Sequence, residues 1–359
     1  MKQANTFSRA KIHPVWLALA LIIMLTGLIA STLMRTTQKN ACYDTQLNAA
    51  LRMAQAENVL LDHIKENNIS ITQEDINHTG LIGPEWTVLT TSLGLVEAKR
   101  TSLHPDFAAL MVEYFEEAGL RAGDTVAVGA SGSFPALVIA TVCAANEMDL
   151  HTKIIASFGA SMYGATRPEL TVTKMLAILR DEKIIDYELV AVSAGGDNDQ
   201  GGGGMFEETG DVIAALAKDS GVPYINEDNL AQSAKKRLEL YGENVRCFVN
   251  VGGASANMGE GAASVSFPAG LTLDPPPIPT NEGRGLIFDY AALGVPVIHL
   301  LNIRKLAFDN GIPFDPVPLP APGTSGVYTR TAHNVPILIG ALALSIVVLA
   351  AARLLKRRE

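Results

Sequence analysis

Cysteine is scarce in this chain: Cys42, Cys143 and Cys247 are the three in 359 residues. An odd number at wide spacing excludes a disulfide framework, and no Cys/His spacing forms a zinc site. Cys143 and Cys247 fall in apolar stretches, where a thiol serves as a small core side chain. Basic charge is short as well. The chain holds 28 Lys and Arg against 37 Asp and Glu. Seven of the basic and one of the acidic residues lie in the first 13 and last seven positions, which leaves residues 35–334 with 21 against 36 and a net charge of about −15. That deficit argues against nucleic acid and against docking on an anionic lipid surface; it leaves open an anionic substrate held in a local site.

A third absence is local. Residues 14–34 (PVWLALALIIMLTGLIASTLM) and 335–352 (VPILIGALALSIVVLAAA) carry no charge. A helix crossing the hydrocarbon core needs roughly 20 residues at 1.5 Å rise, and both runs are about that long. A helix satisfies its own backbone polar groups there. The apolar part of the first run is longer than a signal-peptide core and no clean A-x-A site follows it. Lys2, Arg9 and Lys11 precede that run; Arg353, Lys356, Arg357 and Arg358 follow the second. The positive-inside rule then places both termini in the cytoplasm and the middle outside the cell membrane.

The expected layout is a cytoplasmic tail (1–13), a transmembrane helix (14–34), a juxtamembrane helix with a connecting segment (35–103), an extracytoplasmic α/β domain (104–312), a Pro/Gly linker (313–334), a second transmembrane helix (335–352) and a basic tail (353–359). Within residues 40–67, Leu47, Leu51, Ala54, Leu61 and Ile64 recur at helical spacings. Residues 68–100 show no clear periodicity. From His104 onward, continuous apolar strands (TVAV, KIIAS, YELVAVS, RCFVNV) alternate with helical stretches. That alternation predicts a mostly parallel sheet with helices on both faces.

Three of these strands end in Gly-Ala-Ser, at residues 129–131, 159–161 and 253–255, and another ends in Ser193-Ala-Gly-Gly196. In a parallel sheet all four turns leave the carboxyl edge, where such sheets bind ligands. Small residues also suit strand-to-helix turns by geometry alone. If the turns converge, Gly129, Ser133, Ser161, Gly195, Gly196, Ser255 and Asn257 are the binding candidates, with backbone N–H groups and helix N-termini favouring an anion. Arg284, in a long loop, would grip a carboxylate bidentately.

The familiar catalytic signatures are missing. Gly129-Ala-Ser131-Gly-Ser133 departs from G-x-S-x-G, since its last glycine is displaced. Ser193-Ala-Gly-Gly-Asp197 is not a dinucleotide fingerprint. Asp197-Asn-Asp199 lacks the spacing of a calcium loop, so no metal site is expected. A serine hydrolase would need Ser131 as nucleophile, His299 as base and Asp197 to orient it. The sequence leaves the cofactor open.

The layout resembles the poly-γ-glutamate system protein family, a membrane component found with bacterial poly-γ-glutamate (capsule) synthesis machinery. The resemblance rests on the N-terminal anchor and on VAVGASGSFPAL (126–137), SFGASMYGATRPELT (157–171), VSAGGDNDQGGGG (192–204), VNVGGASANMG (249–259) and GLIFDYAALGVPVIHLLNI (285–303). It implies a pathway and a location, with poly-γ-glutamate synthase or export components and the anionic glutamate polymer as partners. It assigns no catalytic residue. An accessory that binds polymer or synthase, a γ-glutamyl hydrolase or transferase with a serine nucleophile, and a non-enzymatic extracytoplasmic receptor all stay open. In the accessory reading, Gly27, Ala30 and Ser31, or Gly340, Ala341 and Ser345, would pack the anchors against partner helices.

Overall fold

A computed structural model describes residues 12–201, 207–280 and 283–355. The charges at Lys2, Arg9, Lys11, Lys356, Arg357 and Arg358 lie outside the described residues. So do most of the glycine run after Asp199 and the expected start of the next helix at Phe206. The chain divides into two compact units, one made of its two ends and the other spanning Ala41–Tyr328.

The first unit pairs helix Pro14–Leu33 with helix Val335–Leu355, both long and apolar enough to cross a membrane. Strand Thr36–Lys39 pairs antiparallel with Thr329–Ala332 beside them. Small residues allow the two helices to approach closely. A Cβ on Gly27 would stand 2.3 Å from that of Ala341. The Ser345 hydroxyl donates to the Ala20 carbonyl at 3.3 Å. Gly27 and Ala341, expected to face partner helices, thus pack on each other.

The second unit is built on a seven-stranded sheet. Its strands in chain order are β1 (Thr125–Ser131), β2 (His151–Ser157), β3 (Glu188–Ser193), β4 (Tyr224–Ile225), β5 (Val245–Val251), β6 (Gly270–Thr272) and β7 (Val297–Leu300). Their order across the sheet is β4-β3-β2-β1-β5-β7-β6. All pairings are parallel except that of β7 with the edge strand β6. The chain winds outward from β1 to β4, returns to β5, and winds outward the other way. The winding reverses between β1 and β5, and their carboxyl ends flank the resulting crevice.

Helix Pro135–Glu147 is buried from Pro135 to Ala145, as expected of a helix apolar all round. It lies against β1 on one side and against helices Tyr43–Glu66 and Asp106–Glu117 on the other. Each fully buried aliphatic side chain here, such as Leu137 or Ile139, contributes about 2 kcal/mol. A second core, around Phe248, Tyr241, Phe288 and Tyr290, fills the opposite face. Helices therefore cover both faces, as the strand pattern predicts.

The compact unit is wider than the expected 104–312. Helix Tyr43–Glu66 buries Ala49, Ala50, Met53, Ala56 and Leu60 in the main core, so it belongs to the domain. Residues 313–326 are docked as well, and do not form a free linker. Asp106 is fully buried and a buried carboxylate requires donors. It accepts from Gly323 N (2.9 Å), Ser325 N (3.0 Å) and the Tyr328 hydroxyl (2.5 Å). Arg100 pairs with Asp315 at 2.6 Å.

Candidate functional site

The four turns meet. A cavity of about 330 Å³ opens at the crevice between β1 and β5, lined by Ser131 and Ser133, Ser161, Gly196 and Asp197, and Gly253 and Ala254. Residues after β7, among them Asn302 and Arg304, supply another wall, and Thr91 to Leu95 with Lys99 the last.

Lys99 comes from the stretch the sequence left unplaced. Strand Thr90–Ser92 pairs parallel with Ala160–Ser161, fixed by Ala160 N to Leu89 O (3.0 Å) and Met162 N to Ser92 O (3.0 Å). Gly94 follows, and it must be glycine-sized: a Cβ there would stand 2.5 Å from the Met162 carbonyl oxygen. Helix Val96–Ser102 then turns Lys99 inward. Lys99 is 3% exposed. Its Nζ donates to the Ser133 carbonyl and, at 2.6 Å, to Ser161 Oγ. It also lies 3.9 Å from the centre of the Phe134 ring. Burial lowers its ammonium from 10.5 to about 7, because a charge withdrawn from water without a counter-ion loses its solvation.

The serines form a connected set. Ser161 N donates to Ser133 Oγ at 3.0 Å. Ser131 Oγ donates to Ser133 Oγ at 3.1 Å and accepts from Ser133 N at 3.2 Å. The ribbon and this set together hold Ser161 Oγ against the lysine. A hydroxyl bonded to a base at the wall of a cavity is the basic unit of nucleophilic catalysis.

Other expected site residues stand elsewhere. Gly129 lies inside β1, where a Cβ would meet the Asn257 amide at 2.5 Å; Gly129 and Asn257 pack together behind the rim. Ser255 N reaches the Gly196 carbonyl at 3.4 Å and joins two turns. Gly195 has φ +76° and donates to Asp199 Oδ1 at 3.1 Å. Asp199 in turn pairs with buried Arg237 at 2.7 Å, an arrangement that fixes the third turn. Arg284 pairs with Asp289 at 2.6 Å and lines a different hollow with Lys235 and Thr280.

The triad Ser131–His299–Asp197 is not assembled. His299 is the third residue of β7, in register with Asn250 and Gly270. Its neighbours Ile298 and Leu300 point into the main core, so strand alternation turns His299 to the opposite face. There its Nδ1 lies 2.8 Å from the Asn250 amide nitrogen, and its ring packs edge-on against Phe267. Burial lowers it to about 4. Ser131 and Asp197 border the cavity; His299 does not. Among the described residues no cluster of His, Cys, Asp and Glu could hold a metal ion.

One signal for Lys99 was available. Leu95, Lys99 and Leu103 recur at intervals of four, which places the lysine on the same face as two leucines. Comparison of the chain with known protein families, with curated proteins and with solved structures finds no match in any of the three. The fold and site define a doubly wound α/β domain with a serine–lysine cavity at its switch point.

Proposed function

We propose that this protein is a membrane-anchored, extracytoplasmic component of poly-γ-glutamate synthesis, export or processing, and that its switch-point cavity holds an anionic γ-glutamyl chain end. The observation that carries the reading is the convergence of four glycine- and serine-rich turns with the Lys99 amine and the Arg304 guanidinium on one cavity, in a segment that is otherwise strongly acidic. A γ-linked glutamate chain presents one α-carboxylate per residue, which suits cations and backbone N–H groups. The terminal helices and their basic flanks support an anchor with both termini cytoplasmic. The five resembling segments support the pathway, with synthase or export components as partners.

The test uses the full chain in lipid nanodiscs and fluorescent poly-γ-glutamate, with α-linked polyglutamate as control. Saturable binding of the γ-linked polymer, weakened about tenfold by Arg304→Ala, is expected. Equal binding of both polymers, or none, would overturn the γ-glutamyl assignment.

A further inference from the structure

Lys99 calls for an explanation. Among the described residues it has no ion-pair partner, and both of its hydrogen bonds go to neutral oxygens. Burying a lysine in this way is costly, and a methionine would fill the same volume without that cost. A ribbon, a tight glycine and a short helix nevertheless converge to hold its Nζ at a cavity wall. Of the four cavity serines, Ser92, Ser131, Ser133 and Ser161, Ser161 is the one whose hydroxyl touches it; Ser133 Oγ accepts from the Ser161 N–H, and Ser131 Oγ donates to Ser133 Oγ.

We infer that Ser161 and Lys99 form a nucleophile–base pair that cleaves or transfers an acyl group bound through an amide. The inference rests on the preceding section for the γ-glutamyl identity of that group, and on geometry alone for the pair. Ser161 Oγ attacks the amide carbonyl carbon while its proton passes to the neutral Lys99 Nζ. The C–N bond then breaks, and Lys99 returns the proton to the departing amine. This leaves an ester on Ser161. Water attacks the ester, gives a proton to Lys99, and releases the acid as that proton returns to Ser161 Oγ. An incoming amine in place of water gives transfer. A lysine that loses its proton near neutral pH meets the requirement for a general base. Asp197 and Arg304 are the other charged groups on the cavity wall; they set the field at the pair and take no proton in this scheme. Ser133 is a positioning residue, since it acts through the Ser161 backbone.

A fluorophosphonate probe tests the pair without a substrate, because serine attack at phosphorus expels fluoride and leaves a stable adduct. The full chain in detergent micelles is labelled and the adduct mapped by mass spectrometry. The adduct is expected on Ser161, formed at a rate that rises with a midpoint near pH 7. Ser161→Ala should abolish it. Lys99→Arg retains a cationic donor but cannot give up its proton at neutral pH, and should slow labelling at least 100-fold with the circular dichroism unchanged. Should that variant misfold, the pH profile and adduct position in the wild type still decide. No adduct at pH 8, an adduct on Ser131 or Ser133 instead, or undiminished labelling in a folded Lys99→Arg chain would overturn the pair. A second arm uses γ-glutamyl-p-nitroanilide. Release of p-nitroaniline, lost in Ser161→Ala, extends the pair to γ-glutamyl amides. Labelling at Ser161 without release upholds the pair and removes the γ-glutamyl assignment.

Discussion

Lys99 and His299 are equally withdrawn from water, each 3% exposed, yet their surroundings differ in kind. Lys99 borders a cavity and is bonded to a serine hydroxyl that shares that cavity. His299 is enclosed between Asn250 and an aromatic ring on the other face of the sheet. Burial depresses both groups, for the same reason. A displaced proton equilibrium therefore does not identify a functional base. What separates the two is whether the group opens onto space that a ligand can enter and whether a nucleophile stands beside it.

Four measurements would sharpen or break that comparison. The largest effect is expected on the alkaline side. Folded Lys99 sheds its proton near pH 7, whereas an unfolded lysine keeps it to about 10.5. The unfolded chain binds the extra proton in that window, so Lys99 should make stability rise with pH, by about 4 kcal/mol between pH 7 and 10. Urea titrations should show this rise in the wild type and its loss in Lys99→Met.

On the acid side the group is His299, held at about 4 against an ordinary 6.5. Between those values the unfolded chain again binds more protons, so stability should fall as pH drops from 6.5 to 4, by about 3 kcal/mol. His299→Leu should flatten that limb while leaving fluorophosphonate labelling within twofold; a large loss of labelling would restore the histidine to the site. Polymer binding gives the third measurement. Arg304→Ala should weaken it about tenfold, or about 1.4 kcal/mol. The smallest effect belongs to Arg284→Ala. Its pair with Asp289 is partly exposed, so stability should change by under about 1 kcal/mol, and polymer binding should not change.

The doubly wound sheet was legible because continuous apolar strands and helical stretches each leave a periodic trace. The helix over 43–66, the strand ending at Ser131 and the helix ending at Glu147 all stand within a few residues of where the pattern put them. The convergence of the glycine-serine turns was legible as a conditional statement, since it depended on strand order. The cavity lysine was not read. It lies on a seven-residue helix beside a three-residue strand, and elements that short give periodicity too little length to register. His299 was misplaced because a histidine near a strand end suggests the rim, although its alternation with Ile298 and Leu300 already turned it away from their side. Residues 313–326 were read as a linker from their proline and glycine content. Their anchoring to Asp106 and Arg100 is a contact across 215 residues or more of sequence, which local composition does not encode.

The pairing of the two chain ends has a thermodynamic effect on what lies between them. While helices Pro14–Leu33 and Val335–Leu355 stay packed, residues 41–328 form a closed loop. An unfolded segment of that length, pinned at both ends, forfeits entropy on the order of 5 kcal/mol relative to a free one, by the same reasoning that applies to a covalent cross-link. In a protein whose three thiols are all unbridged, the helical clasp supplies the restraint that a disulfide would otherwise impose. Severing either end should therefore destabilise the domain without altering any contact inside it.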